Sequence, residues 1–98
     1  MMNTQRDLPV PATVLEASNA REILRLWTTE AGERVTLRID DLEPAAWGLM
    51  LVDVARHVAH AYARQGSLSP NDAFLQVVTM FIAEIQEPTD SPQPVDES

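Results

Sequence analysis

Two runs of alternating side chains, separated by a short glycine-containing break, constrain this chain more than any other feature. Over residues 22–29, Leu24, Leu26 and Thr28 alternate with Ile23, Arg25 and Trp27. Over residues 34–40, Val35, Leu37 and Ile39 alternate with Arg34, Thr36 and Arg38. A period of two is that of a strand with one covered face. Between the runs stands Glu30-Ala31-Gly32-Glu33, where Gly32 can take a positive φ at no steric cost. The pattern predicts an antiparallel β-hairpin.

The period then changes. Asp40, Asp41 and Glu43 precede Pro44, and acidic residues followed by a proline are helix-start signals. The helix is expected to run to about Gln65 and to stop at Gly66. With about 3.6 residues per turn, Trp47, Leu51, Val54, Val58 and Ala61 form one stripe. Gly48, Val52, Ala55 and Ala59 form a second stripe of smaller residues beside it. Together they cover more of the circumference than a helix lying on one sheet needs. A second helix opens at Ser69-Pro70-Asn71-Asp72, with Ser69 as cap and Pro70 in the first helical position. Phe74, Val78, Phe81 and Ile85 recur along one face of it, flanked by Leu75, Val77 and Ile82, with Phe81 at the centre of the face and expected in the core, and it should end near Glu87.

The fold class expected is therefore α+β: an antiparallel hairpin followed by two α-helices packed on one face of it. A lone hairpin is marginal even with a face covered. Either residues 8–16 add a third strand or a helical turn, or two copies of the chain join their sheets. Residues 1–20 are weakly patterned, with Pro9 and Pro11 holding the chain extended around Val10. Residues 21–87 form the domain. Residues 88–98 carry three prolines, three acids and a single apolar residue, Val95, and are expected to stay disordered because they have almost nothing to bury.

Composition removes several classes of function. The net charge of −8, from 15 acidic and 7 basic residues, argues against nucleic acid and against anionic membrane surfaces. No apolar stretch is long enough to span a bilayer, and the start of the chain has no secretory pattern. The chain has no cysteine, so it has neither a disulfide framework nor a thiol nucleophile. These features make the cytoplasm the expected compartment. Gly32, Gly48 and Gly66 are isolated, so there is no glycine-rich phosphate loop. No serine or threonine stands in a recognisable triad pattern. No cofactor is expected, and the sequence points away from an enzyme.

Two constellations remain. Asp53, His57 and His60 share one helical face, with His57 about 40° and His60 about 20° around the axis from Asp53. Residues three and four apart can share a divalent metal, or the carboxylate can orient an imidazole. The competing reading is a solvated polar face, since no second cluster supplies a further ligand. The other constellation is Trp27 with Arg25 and Arg38 on the outer face of the hairpin, together with Leu49, which lies outside the small-residue groove of the first helix. Trp and Arg are enriched at interfaces, and their pairing allows a cation–π contact. The alternative is that the N-terminal segment folds over Trp27. The small-residue stripe either admits another chain or simply receives the second helix.

The strand Arg21-Glu22-Ile23-Leu24-Arg25-Leu26-Trp27 and the helix start Ala46-Trp47-Gly48-Leu49-Met50-Leu51-Val52-Asp53-Val54-Ala55-Arg56-His57 resemble a family of small bacterial proteins known only as a domain of unknown function. The resemblance covers roughly residues 20–87. It implies a bacterial source and carries no activity, ligand or catalytic residue. The expected function is a non-enzymatic interaction or regulatory module, homodimeric and with a further protein partner that the sequence does not identify. The alternative is a small metal- or ligand-binding protein using Asp53, His57 and His60.

Overall fold

In the computed structural model, which describes residues 6–89 and the pair 96–97, the alternating runs become β1 (Leu24–Thr29) and β2 (Gly32–Leu37). Leu24 stands opposite Leu37 and Leu26 opposite Val35 on one face; Arg25 opposes Thr36 and Trp27 opposes Arg34 on the other. The turn is tighter than the sequence suggested, because Thr29 already pairs with Gly32 and only Glu30 and Ala31 lie between. Two features hold it. Gly32 sits at φ 113°, where a Cβ would be strained, and the Thr29 hydroxyl accepts from the Ala31 N–H at 3.1 Å while donating to the Gly32 carbonyl at 2.8 Å. At the open end the Arg38 N–H donates to the Ile23 carbonyl at 2.9 Å, and the Arg21 guanidinium meets the Asp40 carboxylate at 2.7 Å in the same register. Asp40, expected to serve a helix start, instead closes the base of the hairpin.

The helices begin and end where their signals stand. α2 (Pro44–Arg64) has Pro44 at its start and gives way to Gly66 at φ 83°. α3 (Pro70–Gln86) is capped by Ser69, whose side chain accepts from the Asp72 N–H at 3.1 Å. The two helices pack on each other, and the residues that let them approach are alanines: Ala59 is 2% exposed and Ala73 3% exposed. Ala59 is the buried end of the small-residue stripe of α2, whereas Gly48 and Val52 of the same stripe stay exposed. Across the same contact the Arg56 guanidinium lies 4.7 Å from the Phe74 ring centroid.

The class is α+β, a hairpin followed by two packed helices, but the layers are looser than expected. No Cα of either hairpin strand comes within 8 Å of a Cα of α2 or α3. The radius of gyration is 15.8 Å, where a compact domain of this length would measure about 12.6 Å. The N-terminal segment takes the helical alternative, forming α1 (Ala12–Glu16), and supplies no strand. Pro9 and Pro11 have no N–H to give to a ladder, which explains the choice. The third strand comes from the other end of the chain: β3 (Asp96–Glu97) pairs parallel with Thr36 and Leu37 on the outer edge of β2. The rest of the expected disordered tail beyond residue 89 lies outside the described residues. Among the described residues no helix is long and apolar enough to cross a membrane.

Gly48 lies on the part of the small-residue stripe that α3 does not reach, and a Cβ there would meet nothing within 4 Å. Gly48→Ala should therefore stabilise the chain by roughly 0.5–1 kcal/mol in chemical denaturation, the ordinary gain for a helix interior. A loss instead would mean that another chain approaches that point closely.

Candidate functional site

The dominant chemical feature of the surface is apolar area that the chain itself leaves open. On α3, Val77, Met80, Phe81, Glu84 and Ile85 line a groove of about 520 Å³, and every one of those residues belongs to the same helix. No other described element closes it. Phe81 is at the centre of the periodic face, and the sequence made it a core residue; in the folded chain it is 55% exposed. The reason is geometric. Ala59 of α2 and Ala73 of α3 are the buried residues of the helix pair, and Phe81 lies two turns further along α3. On α2, Leu51, Val54 and Val58 of the broad stripe are likewise exposed. Leu49 is 72% exposed. Within the helix pair, the indole Nε1 of half-buried Trp47 is a buried polar atom without a hydrogen-bond partner.

The second surface lies on the hairpin. The Arg25 guanidinium stands 5.6 Å from the Trp27 ring centroid, and its Nε donates to Glu22 at 2.8 Å. That hydrogen bond, and then the Glu22 charge, raise the Arg25 pKa above its already high ordinary value. Trp27 is half-buried. Its cross-strand neighbour is Arg34; Arg38 falls opposite Ile23 and away from the ring. Leu8, Pro9 and Val10 share with Leu24, Arg25, Leu26 and Trp27 a groove of about 410 Å³. The N-terminal segment thus flanks Trp27 without sealing it. The role of Leu8 and Val10 was not legible in their weakly patterned surroundings.

Asp53, His57 and His60 are all exposed on α2, on the face turned away from the broad stripe. Among the described residues no group of three or more His, Cys, Asp or Glu side chains is gathered so that it could hold a metal ion. Sharing a helical face brings the Cβ atoms near one another but does not turn three side chains to one point. A chelator added to the purified protein is expected to leave its melting temperature unmoved; a fall that His57→Ala abolishes would make this face a metal site.

Fold and surface together define a class: a small α+β domain, made of a hairpin and a helical pair, whose apolar faces outnumber the contacts its own chain can make. The chain belongs to the family described as a domain of unknown function (DUF5076), whose model matches residues 7–89. The match takes in the N-terminal segment as well as the hairpin and helices. A solved structure described as "a putative pyruvate dehydrogenase from the photosynthetic bacterium Rhodopseudomonas palustrus CGA009" is 34% identical, with a TM-score of 0.76 over 95% of this chain and 96% of that one. No curated protein matches the chain.

Proposed function

We propose that this domain is a non-enzymatic protein-interaction module that completes its own fold by joining a second copy of itself. The observation that carries the reading is surface area. The chain of 10.9 kDa exposes 8788 Å², where a compact monomer of that mass exposes about 5,600 Å². The excess of roughly 3,000 Å² is larger than what one side of an obligate interface removes, about 1,000–2,500 Å². The exposed side chains are of the right kind, since Leu51, Val54, Phe81 and Ile85 are residues that elsewhere fill cores. Folding that depends on a second copy makes apparent stability depend on concentration. The melting temperature is therefore expected to rise as protein is taken from about 1 to about 100 μM. A melting temperature independent of concentration counts against the reading.

The dehydrogenase name of the similar structure is not carried over.

A further inference from the structure

The geometry points to the outer edge of β1 as the line along which two copies join, antiparallel, in the register that sets Leu26 of one copy against Leu26 of the other. This rests on the homodimer reading above and goes beyond it by naming the surface, the pairing and the residue on the two-fold axis.

The two edges of the sheet differ. Thr36 and Leu37 on the edge of β2 are covered by Asp96 and Glu97 of the same chain. The edge of β1 carries no such ladder: Leu8, Pro9 and Val10 border it across the groove they share with Leu24–Trp27, but among the described residues no backbone hydrogen bond from the N-terminal segment reaches it, so a second copy takes the place of that segment. Nor does β1 carry the usual protections of an exposed edge, since it holds no proline and no lysine and its one charge is Arg25. Leu26 on it is 62% exposed.

The ladder states which backbone groups face outward. Arg38 donates to Ile23, so these two form a bonded pair. In an antiparallel ladder bonded and non-bonded pairs alternate. Arg25 and Trp27 therefore turn their N–H and C=O toward β2, and Leu24, Leu26 and Thr28 turn theirs to the open edge. A two-fold axis perpendicular to the sheet keeps each side chain on its own face, so the centre must fall on a residue. Centring on Arg25 sets two guanidiniums against each other. Centring on Trp27 opposes Leu24 to Glu30, beyond the strand. Centring on Leu26 uses all three outward residues: Leu26 bonds its own counterpart, and Leu24 bonds Thr28 on either side, for about six ladder hydrogen bonds. The same register lays Arg25 of each copy opposite Trp27 of the other, which repeats across the interface the cation–π pairing already present at 5.6 Å within the chain. It also joins the Leu24–Leu37 and Leu26–Val35 pairs of two hairpins into one apolar face twice as wide.

The chain contains no cysteine, so a single introduced thiol reports on a single position. Residues in a bonded pair have Cα atoms about 5.5 Å apart, inside the range a disulfide spans. Under mild oxidation at micromolar concentration, Leu26→Cys is expected to give a covalent dimer on a non-reducing gel, and Leu24→Cys, which faces Thr28, only a trace. Leu26→Pro provides the second arm. The Leu26 N–H points away from β2, so the hairpin keeps its own ladder while the central bonds of the dimer are lost. Sedimentation should show dimer association weakened at least tenfold, with the circular dichroism of the folded chain retained. Leu26→Cys cross-linking no better than Leu24→Cys, in a protein that still sediments as a dimer, overturns the edge and leaves the dimer standing. A wild-type chain that sediments as a monomer overturns both.

Discussion

Replacing Ala59 by leucine is expected to cause the largest loss of stability of any single apolar substitution in this domain. Ala59 and Ala73 are the only buried residues among the large and small apolar side chains described, at 2% and 3% exposure, and they stand on the two helices that pack on each other. Overpacking such a contact costs about 1–3 kcal/mol. For a domain of this length each kcal/mol moves the melting temperature by about 4–8 °C, so Ala59→Leu should lower it by roughly 5–20 °C. Ala59→Gly keeps the close approach and loses only helix propensity, about 1 kcal/mol. Thermal melts of the two variants side by side separate the effects. If Ala59→Leu melts with the wild type, the helices do not meet at these alanines.

Much of this architecture is legible in the sequence, because the features concerned are local. Gly66 at a positive φ and Ser69 bonded to the Asp72 N–H sit where the helix signals placed them. Leu24 and Leu26 share a face because period two allows nothing else. What local pattern could not supply was the identity of the covering surface. The periodicity of Phe74, Val78, Phe81 and Ile85 says that a face needs cover; it does not say whether the same chain provides it. Phe81 was read as core for that reason, and its exposure follows from where two alanines let the helices cross. The turn is two residues shorter than the break at Glu30–Glu33 suggested, because Gly32 and Glu33 already belong to β2, and the residue opposite Trp27 is Arg34. The site reading divides in the same way. Trp27 with Arg25 is a contact between neighbours on one strand face and could be foreseen, whereas the helical face of Asp53, His57 and His60 fixed position and not convergence.

The second large effect concerns association. Phe81→Glu is expected to separate the two copies while leaving each chain helical, where the contact between copies covers the α3 face as well as the β1 edge. In the single chain the ring is already 55% exposed, so a carboxylate there remains solvated and the Ala59–Ala73 contact is untouched. Where a second copy covers the ring, the same carboxylate must be desolvated beside apolar side chains. Losing an interface anchor costs about 2 kcal/mol, and in a two-fold contact one substitution acts twice, so dissociation should strengthen by roughly a thousandfold. The measurement that bears most directly on the whole account is sedimentation equilibrium of the wild-type chain at micromolar concentration, with Phe81→Glu beside it. The account predicts a wild-type mass of twice 10.9 kDa and a variant mass of 10.9 kDa. A wild-type chain of 10.9 kDa at that concentration would contradict it.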